Sequence, residues 1–295
     1  MIKRVIEISV ACNLSVKNRQ LVLKTQKSQQ TAPIEDLGAV IIDTPMVNMS
    51  QPALVSLAQE NVSVILCDQQ HLPSAVLLPM YGHHLHGKIV KAQAMVKEPV
   101  RKRLWQSIVR HKIHEQSLCL ERIGEMKYAR RLQGMIKTVL SGDTSLVEAQ
   151  AARIYFKALF GRNFHRNDAN LLENPLLNYG YSLMRSLCLR ACVAAGLTPA
   201  LSLCHKNQYN PYALGDDLME ICRPLVDFHV YNMKELDLIE EISPRTKTQI
   251  LEIMIWRAKW HQAETSLLVA IQKYAQSLTK VILGEQKEIE FPEIL

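Results

Sequence analysis

Two different apolar periods divide the chain near residue 80, and a segment can satisfy only one of them. Before that point, short β-branched runs dominate. Residues 4–10 alternate around Val5, Ile6 and Ile8, and residues 14–24 carry Val16, Leu21, Val22 and Leu23 about a polar turn at Lys17-Asn18-Arg19. Three further runs, 39–42, 62–66 and 75–78, are short and bounded. Such runs specify strands. One stretch differs: residues 50–61 place Leu54, Leu57 and Ala58 at helical spacing, behind Ser50 as N-cap and Pro52 in the first turn. After Met80 glycine becomes sparse and apolar residues recur at three and four. Helices are predicted over 85–96, 99–121, 123–140, 144–160, 177–195, 213–222, 234–241, 244–255 and 265–283. Residues 166–175 and 196–211 read as loops, and the acidic tail, 284–295, has little helical pattern and is expected to be mobile. The predicted fold class is α+β: a small N-terminal β-rich domain, residues 1–80, followed by a larger all-helical domain, residues 81–295.

With 295 residues and 48% hydrophobic content, a sizeable core can form without cross-links. Seven cysteines at irregular spacing point to free thiols in a reducing cytoplasm, and Cys188, Cys192, Cys204 and Cys222 match no C-x₂-C zinc spacing. No apolar run reaches 18 residues, so no membrane span is expected. The basic-apolar start is interrupted by Glu7 and lacks a small-residue cleavage site, so it reads as a strand rather than a signal peptide.

The net charge of +7 is unevenly spread: residues 88–131 hold twelve Lys/Arg against four Glu. An excess of this kind attracts nucleic-acid phosphates or an anionic membrane, although a solvated helical face has the same pattern. Lys88, Lys91, Arg101, Lys102, Arg103 and Arg110 are the candidates for DNA contacts.

Four residues carry the candidate chemistry: Glu148, His205, Asp217 and Glu220. Carboxylates with one imidazole suit Mg2+ or Mn2+, the usual ions for cutting or joining phosphodiesters. Each also has a structural reading. Ser145 and Glu148 fit a capping box, yet Glu148 shares a helix face with Ala152, Tyr155 and Leu159, so its carboxylate is expected to point inward. His205 follows an apolar loop, as satisfied core histidines do. Asp217 and Glu220 stand three apart on one predicted helix face, as acids complementing a helix dipole also do. His83, His84 and His86 cluster without a carboxylate or cysteine beside them, and no Walker, nucleophile-elbow or Rossmann sequence is present.

The stretches Asn174-Pro175-Leu176-Leu177-Asn178-Tyr179-Gly180-Tyr181, Ala195-Gly196-Leu197-Thr198-Pro199, His205, Asp217-Leu218-Met219-Glu220 and Arg223-Pro224-Leu225-Val226-Asp227 resemble the CRISPR spacer-acquisition integrase, CRISPR-associated protein one. Glu148-Ala149-Gln150-Ala151-Ala152-Arg153-Ile154-Tyr155 resembles the helix that carries that family's first metal-binding Glu, and Ile34-Glu35-Asp36-Leu37 fits its β-rich start. The compact length is most like the type II form. The chain departs from the family at Ala149, where Gly or Asn is frequent, and at Leu203-Cys204, where Gly-Phe or a similar pair is frequent; neither removes a ligand. The resemblance implies that Glu148, His205 and Glu220 bind Mg2+ or Mn2+ and that Asp217 assists. It implies a metal-dependent DNA endonuclease and integrase that inserts spacer DNA into the CRISPR array by transesterification. It also implies a homodimer working with a small companion adaptation protein on double-stranded DNA. A metal-dependent nuclease acting on branched DNA in repair, or a non-catalytic DNA-binding scaffold, would share part of this sequence pattern.

Overall fold

The computed structural model describes residues 4–69, 71–80, 82–168, 170–205, 207–240 and 243–295. The first part of the chain forms β1 (Arg4–Ile8), β2 (Cys12–Lys17), β3 (Gln20–Lys24), β4 (Gln29–Pro33), β5 (Leu37–Ile42), β6 (Val47–Met49), α1 (Gln51–Gln59), β7 (Ser63–Cys67) and β8 (Pro73–Leu77). One sheet runs β1-β5-β7-β8, with β1, β5 and β7 parallel and β8 antiparallel to β7. The other runs β4-β3-β2-β6, an antiparallel meander with β6 added parallel to β2. The expected turn lies between β2 and β3, where Asn18 and Arg19 both have positive φ, 49° and 59°, as a two-residue hairpin turn with native twist requires.

Every residue of β5 is buried. Val40 and Ile42 join Ile8, Leu14, Leu21, Leu57 and Val64 in a core between the two sheets and α1. Ala39 and Ile41 turn the other way, with Ile65, into the core of the helical part. A central parallel strand covered on both faces reads as a continuous apolar run, which is why residues 39–42 show no alternation. The polar strand β4 and the short β6 were not predicted, because neither carries an apolar period.

The rest of the chain contains α2 (His86–Ala94), α3 (Glu98–Arg122), α4 (Met126–Ile136), α5 (Val147–Phe160), α6 (Glu173–Ala194), α7 (Ala213–Met219), a 3-10 turn at Glu220–Cys222, α8 (Arg223–Glu235), α9 (Pro244–Leu251) and α10 (Leu267–Leu283). This part is not all-helical. An antiparallel hairpin, β9 (Arg257–Trp260) with β10 (Ala263–Ser266), stands before α10. Its alternation, with Ala258 and Trp260 buried and Arg257 and Lys259 exposed, spans only four residues and was masked by the helical segments beside it. The helix predicted over 234–241 is the end of α8, which starts at Arg223 with Pro224 in its first turn; residues 236–240 are not helical, and Glu241 lies outside the described residues.

The tail is not loose. Ile289 and Ile294 are buried in the main core, and Phe291 stacks on His111 with ring centroids 4.4 Å apart. The buried Glu115 carboxylate of α3 accepts the backbone N–H groups of Ile294 at 3.2 Å and Leu295 at 3.0 Å. All seven cysteines are free. Among the described residues no helix is long and apolar enough to cross a membrane.

Candidate active site

The site is organised by α3, whose buried stripe, Ile108, Val109, Ile113, Cys119 and Leu120, is interrupted by the buried Lys112. An ammonium in that position needs anionic partners. Lys112 Nζ donates to Glu148 Oε1 at 2.5 Å and also to Glu220 Oε2. The second Glu220 oxygen accepts from Arg223 Nε at 2.9 Å. Burial alone would push the Glu220 carboxyl up; Lys112 and Arg223 outweigh it and hold it down at about 2. Burial likewise pulls the Lys112 ammonium down, and Glu220 and Glu148 more than reverse this. Glu220 is therefore held ionised between Lys112 and Arg223.

Glu148 is released for this contact because it does not cap its own helix. The capping box expected from Ser145 does not form. Instead Leu146 takes a left-handed conformation, φ 53°, and the Asp143 carboxylate accepts from Val147 N at 2.9 Å and Glu148 N at 3.1 Å. Asp143 thus supplies the N-terminal anion, and the Glu148 side chain turns to Lys112.

Asp217 and Glu220 do not act as a pair. Asp217, fully buried at the end of α7, faces the preceding loop. Its carboxylate accepts the backbone N–H groups of Leu203 at 2.5 Å, Cys204 at 3.2 Å and His205 at 3.3 Å, and the His205 Nδ1–H at 2.6 Å. This fixes the imidazole and leaves Nε2 as its free nitrogen. The Asp217 hydrogen bond, working against burial, raises the His205 pKa. Trp105 supports the ring edge-on, with centroids 5.5 Å apart. The loop starts from a glycine that the helix end requires: Gly196 has φ +80°, and the N–H groups of Gly196 and Leu197 close on the carbonyls of Val193 and Cys192, a Schellman arrangement.

Two cavities open here. One of about 430 Å³ is lined by His205, Arg166, Asn178, Ser182, Arg185 and Arg223 among others. Another of about 240 Å³ reaches Lys112, Gln116, Glu220 and Asp227. Arg166, Tyr181 and Arg223 line both. A separate cavity of about 460 Å³, between the β2–β3 turn and α1, contains none of the candidate residues.

The structure therefore joins Glu148 to Glu220 through one cation and holds His205 on the rim of the adjoining cleft. Among the described residues, no three His, Cys, Asp or Glu side chains are grouped closely enough to share a metal ion. The chemistry of the donor set nonetheless fits a hard divalent ion: two carboxylates already converge on a single positive charge, and an oriented imidazole lines the adjoining cavity. The six basic candidates form no single stripe. Lys88 and Lys91 are exposed on α2, whereas Arg101, Lys102 and Arg103 are consecutive on α3 and so point in different directions. Lys102 pairs with Glu98 at 2.9 Å, and Arg110 donates to the Val139 carbonyl at 2.9 Å. Sequence reasoning missed Lys112 as a partner of the acids. The available signal was a lysine at an apolar-stripe position of a long helix. Arg166 and Arg223 were missed as well; their partners are distant in sequence or read as ordinary helix-surface charges.

The family model described as CRISPR associated protein Cas1 matches residues 8–243. The chain is 36% identical over 284 residues to the CRISPR-associated endonuclease Cas1 of Neisseria meningitidis serogroup C (strain 8013), covering 96% of this chain and 93% of the relative. Among solved structures it is similar to a casposase bound to integration product, with TM-score 0.78 and 17% identity over 99% of this chain and 93% of the other. It is also similar to a chain of a partial Cas6-RT-Cas1--Cas2 complex, with TM-score 0.69 and 18% identity over 99% of both. At these identities the solved structures share the fold. The family match over most of the length, together with the 36% identical relative, shows that the chain belongs to the CRISPR-associated Cas1 family.

Proposed function

We propose that this chain is a metal-dependent DNA endonuclease and integrase that inserts new spacer DNA into a CRISPR array. The observation that carries the reading is the convergence of Glu148 and Glu220, from separate helical elements, on one buried cation beside a cleft lined by His205 and arginines. Glu148, Glu220 and His205 Nε2 would hold Mg2+ or Mn2+, which when bound supplies positive charge to the phosphoryl oxygens and orients the attacking hydroxyl. Asp217 fixes His205 through Nδ1, and Arg223 holds the second oxygen of Glu220, so both ligands are pre-positioned. Transesterification breaks one phosphodiester as it forms another, so it needs no covalent protein intermediate; positioning and charge stabilisation suffice.

Similarity to a CRISPR-associated endonuclease, to a casposase bound to integration product and to a chain of a Cas1--Cas2 complex supports a DNA substrate and a small companion adaptation protein. The assembly is a homodimer, to which the β-rich domain of residues 1–80 contributes, and residues 81–295 form the catalytic domain. Light scattering at micromolar concentration tests the dimer; a monomer contradicts it. The catalytic test is Glu220→Gln. Strand transfer into a repeat-containing duplex is expected to fall by roughly 10³-fold, the scale of losing a preorganised electrostatic group. Binding of the same DNA should be largely retained. Unchanged transfer would reject the site, and a wild-type chain that binds DNA but joins none would leave a scaffold.

A further inference from the structure

The wall shared by the two cavities carries one cation, Arg166, that makes no ion pair among the described residues, although the buried Asp227 carboxylate lines the same cavity. Arg223 is matched by Glu220, Lys112 by Glu148 and Glu220, and Arg185 by Asp216 at 2.6 Å. Arg166 is different. Its guanidinium donates to Asn174 Oδ1 at 2.6 Å and Asn178 Oδ1 at 2.9 Å, both neutral acceptors. Among the described residues it makes no ion pair. It lies 5.3 Å from the centroid of the Tyr181 ring, and Arg223 approaches the same ring at 4.5 Å. The Tyr181 hydroxyl is engaged, donating to the buried Asp227.

Three consequences follow. A guanidinium has five N–H donors, and the two amide contacts leave three for another acceptor. Two guanidinium groups stand at one phenol with the single Asp227 carboxylate behind it, and a further anion at the cavity wall would be attracted by both. Arg166 also lines both the cavity that holds His205 and the one that reaches Glu220. A planar fork held at its two outer nitrogens by amides suits a phosphate in geometry as well as charge.

We infer that Arg166 binds a backbone phosphodiester of the DNA strand whose 3′-hydroxyl end reacts between His205 and Glu220, and thereby positions that end. The inference rests on the strand-transfer reading. It places a phosphate contact on the segment before α6, outside the basic segment of residues 88–131.

The test couples the side chain to a single phosphate. Synthetic duplexes with a joining 3′ end each carry one neutral methylphosphonate, moved through the linkages nearest that end, and are assayed with wild type, Arg166→Gln and Arg166→Lys. Arg166→Gln is expected to lower joining of all-phosphate DNA by about 10- to 100-fold, the scale of a charge-assisted hydrogen bond, mainly through KM for the donor DNA. One methylphosphonate position should lower wild-type joining by a similar factor and have no further effect on Arg166→Gln. Arg166→Lys should recover part of the loss. A merely structural role, through Asn174 and Asn178, would lower Tm and depress joining equally on every duplex, with no coupled position. That pattern, or Arg166→Gln joining like wild type, overturns the inference. If wild type joins no duplex, the strand-transfer reading fails. The coupling is then read from equilibrium binding of the same duplexes, where the absence of a coupled linkage still overturns the role of Arg166.

Discussion

The core between the two sheets and the core around α3 bury their residues in opposite ways. The first is filled by Ile8, Leu14, Leu21, Val40, Ile42, Leu57 and Val64. The second threads Lys112, Glu115, Asp217, Glu220 and Asp227 among aliphatic and aromatic neighbours. A core of the first kind needs the right volume and period, and it tolerates isosteric exchange. A core of the second kind needs every buried charge matched by a group from another element, and it fails when one partner is removed. Buried charge serves packing in places, as where Glu115 holds the tail and Lys247 meets Asp43, and it also surrounds Lys112, at the site proposed for the chemistry.

Methionine placed in each core should separate the two most clearly. Lys112→Met keeps length and bulk but leaves Glu148 and Glu220 facing each other without their shared cation. In chelator-containing buffer it is expected to cost about 3–5 kcal/mol in urea unfolding. Leu21→Met, between the sheets, should cost less than about 1.5 kcal/mol. Equal costs would mean that the two cores do not differ in kind.

A second contrast is in pH. The Glu220 carboxyl is held below its ordinary value of 4.5, at about 2, by Lys112 and Arg223 against the upward push of burial. The unfolded chain therefore takes up the proton first as pH falls. The stability contributed by Glu220 is complete above about 4.5 and is lost as pH falls toward about 2. Unfolding curves across this window should show a steeper loss for wild type than for Glu220→Gln. Parallel curves would place the acid sensitivity in another group.

The smallest effect on stability is expected at the surface. Reversing Arg101 and Arg103 to Glu should change unfolding by no more than about 0.5 kcal/mol. If these residues hold DNA, the same change should weaken DNA binding and flatten its salt dependence, because fewer counterions are released. An unchanged salt slope would assign them to a solvated face.

Legibility in the sequence follows the same division. The strands β1, β2, β3, β5 and β7 could be read because their period and β-branching are local, and the turn at Asn18-Arg19 because its chemistry is local too, whereas the polar β4 and short β6 could not. What could not be read depends on partners brought from elsewhere. Lys112 looked like one more member of a basic run, since its two carboxylates lie 36 and 108 residues away. The tail, 284–295, looked mobile because its apolar residues are spaced for no regular element; Phe291 instead packs on His111 of α3 and Tyr274 of α10, and Glu115 takes the N–H groups of Ile294 and Leu295. Asp217 and Glu220 could be picked as site candidates from type and family order. Their division of labour was hidden, because spacing in sequence does not say that one faces a loop and the other a lysine.

Glu148, Glu220 and His205 are proposed to serve one divalent ion. The direct measurement is Mn2+ binding by calorimetry or electron paramagnetic resonance to wild type, Glu148→Gln, Glu220→Gln and His205→Ala, with folding verified for each. Wild type is expected to bind one tightly held ion per chain, and each carboxylate variant to lose it, with a smaller loss for His205→Ala because His205 lies at the rim. Mn2+ binding that survives both Glu148→Gln and Glu220→Gln unchanged would contradict the claim.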